Sequence, residues 1–497
     1  MKKAKAIISI LLSVLMLATV MLPAGATTAE ETTAVTDEND SSSKPEEVFD
    51  ERFDGQWENA EEAKRGITVN PGKTDSERNF SWYMATDIDS CRVEISENED
   101  MTDAKSFEGE IITTYQGDNA CKVTVTGLEE NKTYYYTCVS GEEKSEVYSL
   151  KTEDDTFSAL YMSDIHVYDD PNDETSLKRT SYAFASLLES ASEKSDINLI
   201  LAGGDMATEG QRVEFEGLTF SKASRELTFA HIMGNHDRHS FDYKYFKNLP
   251  NEMFGPMAGY QSGNYYFEMG GVLFICIDTN NASAQAHRAT VKEAVKTHPD
   301  AKWRVVMMHH DLYGGSIPHR ESECNLLRIL FSPIFDEFNI DLVLMGHSHH
   351  YSVSNVIYNG ENVETIENGK TVNNAKGTVY FVSTSIGRPE EDSEINYSDK
   401  VAIGMEKLTD SYYNIIDFSP EGLKVTSYNL ETDEEYISFT LTKDDDYEPE
   451  KIGFFRKLGG ILAGFLSTVY GIYVNADRYF ELKEDGYTGV GFFEFVF

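Results

Sequence analysis

The sequence predicts a multidomain protein of the α+β and α/β classes, in which a small antiparallel β-sandwich precedes a larger α/β domain. Two patterns lead to this prediction. Between residues 64 and 153, short runs alternate apolar and polar side chains and are separated by Gly, Asn and Asp, as in 80–84 and 133–138. Such runs are typical of antiparallel strands with one buried face. Between residues 154 and 430, apolar runs such as 197–201 are continuous, which indicates strands buried on both faces.

An amphipathic stretch between two of the continuous apolar runs completes the α/β pattern. The apolar residues of 177–194 recur at helical spacing, at Tyr182, Phe184, Leu187, Leu188 and Ala191. This stretch lies between the apolar runs 159–162 and 197–201. The order strand, helix, strand predicts a layered α/β architecture for residues 154–430.

The first 26 residues have the three parts of an export signal. Three lysines precede an apolar run at 6–22, and residues 24–26 read Ala-Gly-Ala, which places small side chains at the cleavage positions. A retained membrane anchor is the alternative, but the apolar run is short for a membrane span. We therefore expect a protein that is secreted or displayed on the extracellular face of the cell envelope.

The charge of the chain excludes one broad class of function. The 497 residues include 43 Lys and Arg against 85 Asp and Glu, a formal net charge of −42, which repels a long polyanion. A protein that coats nucleic acid is therefore excluded. Part of the acidic excess falls in residues 27–63, where apolar periodicity is almost absent and an acidic disordered spacer is expected.

Residues 431–497 fit neither predicted domain, and their role stays open. The segment 458–474 carries no charged residue, but it is marginally short for a membrane span. A docked helix interrupted by glycine, or a tail that associates with a surface, is the preferred interpretation. The cell surface is thus one candidate partner for this tail, and for the sandwich as well.

The cysteines do not form a disulfide scaffold. There are five, without a Cys-x-x-Cys spacing, and three of them, Cys91, Cys121 and Cys138, fall close together in the predicted sandwich. One disulfide among these three and buried free thiols are both open alternatives.

Polar clusters follow five of the continuous apolar runs. Asp164 and His166 follow the first run, Asp205 the second, residues 235–237 the third, His309 and His310 the fourth, and residues 347–350 the fifth. In open α/β sheets, loops from the carboxyl ends of adjacent strands converge on binding sites. Carboxylate, amide and imidazole groups together suit Fe, Mn or Zn. The candidate ligands number seven, enough for two ions: Asp164, His166, Asp205, Asn235, His309, His347 and His349.

In the order Asp-x-His, Gly-Asp, Gly-Asn-His-Asp, His and Gly-His-x-His, these motifs resemble those of the calcineurin-like metallophosphoesterase superfamily. The resemblance covers about residues 156–430 and implies a four-layer α/β/β/α domain. It also implies that Asp205 bridges two metal ions. The first ion would be held by Asp164, His166, Asp205 and His349, and the second by Asp205, Asn235, His309 and His347. In the preceding module, one inward tryptophan, Trp82, and the corner formed by Leu128 and residues 133–136 resemble a fibronectin type III domain. This module is also similar to the amino-terminal domain of purple acid phosphatases.

Two positions depart from the family patterns. Matching residues 308–313 to the superfamily pattern Met-His-x-Pro-x-Tyr makes His309 rather than His310 the expected ligand, and Asp311 departs from this pattern by standing at its Pro position. Thr208 stands where purple acid phosphatases have the Tyr that binds ferric iron, three residues after the bridging Asp. We therefore expect a site without purple colour and with two divalent ions.

The resemblance implies an exported phosphoesterase that hydrolyses a small phosphoester by attack of a metal-bound hydroxide. His236 is expected to protonate the leaving group, and Asp237 either orients His236 or caps the turn. Arg238, His310 and His350 are expected to contact the substrate phosphate or to support the metal ligands from behind, and an ordinary surface location is the alternative. A phosphodiesterase or nucleotide hydrolase is the alternative to a monoesterase. A metal-stabilised surface binding protein is the alternative that is not an enzyme.

Overall fold

The computed structural model describes residues 63–170, 175–254, 262–315, 323–386, 395, 397–404, 410–449 and 453. The predicted export signal, almost all of the predicted acidic spacer and the uncharged segment 458–474 lie outside these ranges. None of the helices in the described ranges is both long and apolar enough to cross a membrane.

The amino-terminal part is a β-sandwich, as predicted. After a 3₁₀ turn at Ala63–Arg65, its strands are β1 (Thr68–Pro71), β2 (Glu77–Met84), β3 (Cys91–Ser96), β4 (Lys105–Glu108), β5 (Glu110–Thr113), β6 (Asn119–Thr126), β7 (Thr133–Ser140), β8 (Glu143–Lys144) and β9 (Tyr148–Lys151). One layer has the order β1-β2-β6-β5, and the other has the order β4-β3-β7-β8 with β9 also paired to β7.

The core of the sandwich contains the predicted inward tryptophan and one disulfide. Trp82 is 1% exposed, and its indole N–H donates to Ser140 Oγ at 2.9 Å. Cys91 and Cys121 form a disulfide that joins the two layers, whereas Cys138 is buried and is not part of a disulfide. The sequence left open one disulfide or buried thiols for these three cysteines. Two of them form the disulfide, and the third is buried.

The α/β domain follows from residue 157. Its strands are β10 (Phe157–Met162), β11 (Ile197–Ala202), β12 (Thr228–His231), β13 (Tyr265–Met269), β14 (Val272–Ile277), β15 (Trp303–Met308), β16 (Leu342–Met345), β17 (Ser352–Ser354), β18 (Val356–Tyr358), β19 (Glu361–Glu364), β20 (Lys370–Asn373), β21 (Val379–Val382), β22 (Val401–Gly404), β23 (Tyr412–Phe418), β24 (Gly422–Asn429) and β25 (Glu435–Thr442). Its helices are α1 (Ser176–Lys194), α2 (Arg212–Leu218), α3 (Lys222–Glu226), α4 (Tyr243–Phe246), α5 (Ala284–Thr297) and α6 (Glu323–Phe338).

Two sheets pack face to face between helices, which confirms the predicted α/β/β/α order. Alternate residues of β11 and β15, such as Leu201 and Met307, share one core between the sheets. The intervening residues point outward: Ile200 packs with the predicted helix, α1, and Val306 packs against α5 and α6. The period of two along each strand therefore divides the apolar side chains among three cores.

The sandwich is joined to the α/β domain by a continuous sheet, which the sequence does not predict. Strand β1 pairs in parallel with β12, with Val69 opposite Thr228. Parallel pairing links β10, β11 and β12, so one sheet runs from the α/β domain into the sandwich. A buried ion pair between Arg78 of β2 and Glu153, at 2.6 Å, lies at this junction.

The sheet also continues beyond residue 430, where we expected the α/β domain to end. Strand β25 pairs antiparallel with β24, placing Phe439 opposite Val425. Ile437, Phe439 and Leu441 of β25 are buried in the core between the two sheets. Because these alternate side chains fill that core, the domain includes at least residues 435–442.

Candidate metal centre

All seven predicted ligands lie just after strands whose carboxyl ends meet at one edge of the two sheets. Strands β10, β11 and β12 are neighbours in the first sheet, and β15 and β16 are neighbours in the second. The side chains form two groups in which the ligand atoms lie within 4.8 Å of one another: Asp164, His166 and His349, and Asp205, His309 and His347. The clusters that the sequence places at strand ends thus come together in space.

In the first group, two imidazoles face each other beside a carboxylate. His166 Nε2 lies 3.1 Å from His349 Nε2, and His349 Nε2 lies 3.5 Å from Asp164 Oδ1. The backbone N–H of His347 donates to Asp164 Oδ2 at 2.9 Å, which fixes the orientation of this carboxylate. Asp164 and His166 are buried, while His349 is partly exposed.

Asn235 adds an amide oxygen beside the carboxylate and the imidazoles of the second group. His309 Nε2 lies 3.1 Å from Asp205 Oδ2 and 3.0 Å from Asn235 Oδ1. His309 rather than His310 therefore faces Asp205, as expected. Asn235 completes the second predicted ligand set.

Asp205 lies between the two groups. Its Oδ2 atom is 3.1 Å from His309 Nε2 and 4.0 Å from His166 Nε2. Its other oxygen, Oδ1, accepts the backbone N–H of His236 at 2.7 Å. A carboxylate that adjoins one histidine of each group, and whose orientation is set by a backbone N–H, has the placement that a bridging ligand requires.

The hydrogen bonds of His309 show that the second group fits a cation. His309 Nδ1 lies 2.9 Å from the carbonyl oxygen of Gly203, so Nδ1 carries the proton and donates it. The lone pair of Nε2 is then directed at the oxygens of Asp205 and Asn235, which are also acceptors. Three acceptors at this spacing repel one another unless a cation or an added proton lies between them.

The electrostatics of the centre favour positive charge. Burial alone would lower the pKa of His309, but Asp205, Asp164 and the Gly203 carbonyl raise it to about 10. Burial alone would raise the pKa of Asp205, but His309 and His166 lower it to about 2. Burial lowers the pKa of His166 to about 3, so this ring is neutral and can donate a lone pair to a metal ion.

Five of the ligands adopt a backbone conformation that residues other than glycine rarely take. Their φ angles lie between 47° and 71°, at Asp164, His166, Asp205, His347 and His349. A left-handed φ costs a residue with a Cβ about 1–3 kcal/mol and persists where the surrounding structure holds it, often at functional sites. No sequence pattern predicts these φ angles, although they turn consecutive ligands toward one point.

Two motif glycines leave room for the carboxylate ligands. A Cβ on Gly234 would lie 2.1 Å from Asp205 Oδ1, and a Cβ on Gly346 would lie 2.3 Å from Asp164 Oδ2. Any larger residue at these positions therefore displaces a ligand. The glycines of the Gly-Asn-His-Asp and Gly-His-x-His motifs are required for close packing as well as for the turns that follow the strands.

His236 lies beside the first ligand group and is only half-buried. Its ring centroid is 4.9 Å from that of His166. Its Nδ1 atom lies 2.8 Å from the backbone carbonyl of Thr208, so Nδ1 donates and Nε2 is the nitrogen left for a bound molecule. The expected role in protonating a leaving group would use this nitrogen.

Asp237 does not orient His236, contrary to one of the two roles considered for it. Its carboxylate is fully buried and accepts the backbone N–H groups of Ala207 at 2.9 Å and Gly234 at 2.8 Å. Asp237 therefore holds the turn that carries Asn235 and His236, while the Thr208 carbonyl orients the His236 ring. Sequence reasoning missed this carbonyl because a backbone acceptor has no residue-type signature.

The three candidate substrate contacts have different surroundings. Arg238 Nη1 donates to Asn280 Oδ1 at 3.3 Å, and Asn280 Nδ2 lies 3.0 Å from the carbonyl of Met233. His310 is 2% exposed and lies 2.7 Å from Thr279 Oγ1 through Nδ1. His350 is 0% exposed. His310 and His350 thus present almost no surface to a bound molecule, and neither lies on the ordinary surface that was their alternative.

The α/β/β/α fold and the two candidate ligand groups around one carboxylate are features of α/β proteins that hold two metal ions. Residues 157–351 match the family model described as Calcineurin-like phosphoesterase, and residues 65–152 match that of the Purple acid Phosphatase, N-terminal domain. The chain therefore contains a calcineurin-like metallophosphoesterase domain preceded by a purple acid phosphatase amino-terminal domain. This confirms both resemblances.

Curated relatives include two purple acid phosphatases of Arabidopsis thaliana. Purple acid phosphatase 15 is 24% identical over 268 residues, which is 48% of this chain and 50% of the relative. Purple acid phosphatase 23 is 34% identical over 110 residues, which is 20% of this chain and 23% of the relative. The chain thus spans half or less of the length of these relatives.

Two solved structures share the fold. A purple acid phosphatase, PPD1, from yellow lupin (Lupinus luteus) seeds has a TM-score of 0.62 at 14% identity, covering 76% of this chain and 74% of the lupin chain. PhoD has a TM-score of 0.53 at 12% identity, covering 81% of this chain and 97% of its own. At these identities the likeness extends to the fold alone.

Proposed function

We propose that the chain is an exported phosphoesterase that hydrolyses phosphoric esters at a centre of two divalent metal ions. The observation that carries the proposal is the position of Asp205 Oδ2, 3.1 Å from His309 and 4.0 Å from His166. One carboxylate thus adjoins both ligand groups. His236, in turn, lies next to the first group but belongs to neither.

The residues of this centre are proposed to have different roles in the reaction. When bound, two cations supply positive charge to the phosphoryl oxygens and lower the pKa of water. Asp205 and the two groups of ligands hold the cations close to each other. The Thr208 carbonyl keeps a proton on Nδ1 of His236, so a second proton on that ring resides on Nε2. His236 can then donate this proton to the leaving-group oxygen as the phosphorus–oxygen bond breaks.

A phosphomonoester is the first substrate class to test. The curated relatives include two purple acid phosphatases and a phosphoenolpyruvate phosphatase from Allium cepa, the latter 36% identical over 61 residues. A phosphodiesterase or nucleotide hydrolase is the second candidate, because the sequence motifs do not discriminate between these ester classes. Export is supported by the amino-terminal signal pattern and by the Cys91–Cys121 disulfide, since disulfides persist in oxidising compartments.

The metals are proposed to be divalent Fe, Mn or Zn. Thr208 occupies the position of the iron-binding tyrosine of purple acid phosphatases, and its backbone carbonyl serves His236 instead. Imidazole, carboxylate and amide ligands without thiolate fit all three metals.

The proposal is tested by a panel of monoesters, diesters and nucleotides, with residues 27–497 supplied separately with Mn, Zn and Fe. We expect hydrolysis of at least one ester and its loss with EDTA. Asp205→Asn is the matched inactive control, because it retains the side-chain volume but removes the charge. Tight binding of metal without hydrolysis of any ester would favour the alternative of a metal-stabilised binding protein.

A further inference from the structure

A loop of the sandwich contacts the segment that follows His236. Tyr115 lies in the loop between β5 and β6, and its hydroxyl donates to Asp242 Oδ2 at 2.9 Å. In the same loop, Asp118 forms an ion pair with Arg212 at the start of α2, and the Arg212 guanidinium lies 3.9 Å from the centre of the Tyr83 ring. The sandwich therefore contacts two segments of the α/β domain, one at Asp242 and one at Arg212.

Asp242 is the point at which these segments meet. Its side chain belongs to a residue that is 1% exposed, and Oδ2 accepts hydrogen bonds from Tyr115 Oη at 2.9 Å and from the Arg212 backbone N–H at 3.0 Å. Hydrogen bonds to an ionised acceptor are among the stronger ones in proteins. One buried carboxylate oxygen thus joins the sandwich loop, the start of α2 and the segment after His236.

A short chain of hydrogen bonds leads from Asp242 toward His236. The Asp242 backbone N–H donates to Ser240 Oγ at 3.2 Å, and the Ser240 hydroxyl donates to the carbonyl of Gly210. Gly210 lies two residues after Thr208, whose carbonyl accepts the Nδ1 proton of His236. Asp242 therefore holds together the segment that carries His236 and the segment that orients its ring.

We propose that Asp242 is a positioning residue for His236, and that Tyr115 of the sandwich acts through it. The proposal rests on the proposed function and deepens it: the sandwich supports the geometry of leaving-group protonation. A small rotation of the 208–212 segment would move the Thr208 carbonyl and tilt the His236 ring. Protonation of the leaving group is sensitive to such a change, because His236 Nε2 must lie within hydrogen-bond distance of the leaving-group oxygen.

Attachment of the sandwich does not depend on Tyr115. Asn70 Nδ2 of β1 donates to the Phe229 carbonyl at 2.8 Å, and Asn248 Nδ2 donates to the Phe80 carbonyl at 3.0 Å. The Tyr115 side chain itself is largely exposed, at 54%. Tyr115→Phe should therefore remove the hydroxyl's hydrogen bond to Asp242, leaving the longer contacts of Gln116 Nε2 with the same carboxylate at 3.4 and 3.5 Å, while the two domains stay joined.

The test compares Tyr115→Phe and Asp242→Ala with a matched control, Tyr136→Phe. The Tyr136 hydroxyl also joins the sandwich to the α/β domain, by donating to the Arg225 carbonyl at 2.6 Å, but that contact lies at α3 and not at the His236 segment. Each protein is assayed with 4-nitrophenyl phosphate, whose leaving group needs little protonation, and with glycerol 3-phosphate, whose leaving group needs it strongly.

We expect kcat for glycerol 3-phosphate to fall about tenfold in both test variants. This loss is smaller than the rate factor of about 10²–10⁴ that a general acid contributes, because His236 is displaced rather than removed. The kcat for 4-nitrophenyl phosphate and the metal content should change little. Tyr136→Phe should affect the two esters equally. In a His236→Ala background, Tyr115→Phe should have no further effect, because the group that it positions is gone. Equal losses on both esters, or a full additional loss in that background, would overturn the proposal.

A second readout does not depend on turnover. The ring N–H of His236 gives a downfield proton resonance in a histidine-labelled sample as long as Nδ1 donates to the Thr208 carbonyl. Tyr115→Phe and Asp242→Ala should shift or broaden this resonance, and Tyr136→Phe should leave it in place. An unchanged resonance in both test variants would refute the positioning role even if no ester is hydrolysed. Failure of the wild type to hydrolyse any ester would instead refute the proposed function alone.

Discussion

The Nε2 atoms of His166 and His349 lie 3.1 Å apart at the edge of the two sheets. Two imidazole nitrogens bound to one cation at about 2.0–2.1 Å are separated by about 3.0–3.4 Å. The pair therefore already has the spacing of two ligands of one ion. His309 Nε2 and Asn235 Oδ1 have the same spacing in the second group, at 3.0 Å. His166 Nδ1 is buried without a hydrogen-bond partner in the described residues, so the protein does not fix the tautomer of that ring.

Asp205→Asn should remove metal and activity together. The substitution keeps the shape of the side chain but removes the negative charge that both ligand groups share. We expect metal analysis to show loss of both ions, with His236→Ala as a comparison that retains them. Retention of two ions by Asp205→Asn would contradict the shared-carboxylate assignment.

His236→Ala should leave the metal content near normal and lower turnover by about 10²–10⁴ for an ester with a poor leaving group. The physical reason is that the ring adjoins the first ligand group but is held by the Thr208 carbonyl. The loss should be smaller for 4-nitrophenyl phosphate. If the variant instead lost its ions, His236 would be a ligand rather than a proton donor.

Gly346→Ala should weaken metal binding, because the added Cβ would lie 1.8 Å from Ser163 Oγ and 2.3 Å from Asp164 Oδ2, and Ser163 and Asp164 are adjacent in the chain. The carboxylate must move away from His349, so we expect a lower affinity, read from a metal titration. Gly360→Ala is the control: Gly360 has a positive φ, but a Cβ there meets nothing within 4 Å. That variant should lose some stability through backbone strain and keep its metal affinity. Unaltered metal affinity in Gly346→Ala would contradict the expected displacement of the Asp164 carboxylate.

The iron-loaded protein should be without the purple charge-transfer band. Thr208 replaces the tyrosine whose phenolate gives the family its colour, so no phenolate is expected on the metal. A visible absorption spectrum of the iron-loaded, air-oxidised protein checks this, with the zinc-loaded protein as the blank. A strong visible band would mean that another tyrosine supplies the phenolate.

Asp75→Asn should stabilise the protein at neutral and alkaline pH. Burial and the nearby charges of Glu153 and Glu268 raise the pKa of Asp75 to about 7 from an ordinary value of 3.8. Between these two values the folded state binds more protons than the unfolded state, so this group's contribution to stability falls as pH rises. The gain in Tm should be largest above pH 7 and should shrink toward pH 4. Asp87→Asn, at an exposed position, should show no such trend.

The convergence of the predicted metal ligands could be anticipated from sequence because each carries a distinctive side chain at the end of an apolar run. Asp164, Asp205 and His309 needed only the rule that adjacent strand ends converge. The Thr208 carbonyl and the Asp242 junction were not predictable, because they depend on backbone atoms and on residues far apart in the chain. The pairing of β1 with β12 was hidden for a similar reason: a short strand does not specify in its own sequence which strand it will pair with.

The most direct test of the two-metal account is a titration of metal-free protein with Mn or Zn, in which phosphoester hydrolysis is followed as a function of metal equivalents bound. The account predicts that activity requires two equivalents per chain, that EDTA abolishes it, and that Asp205→Asn shows neither binding step. Full activity at one equivalent, or activity that persists in EDTA, would contradict it.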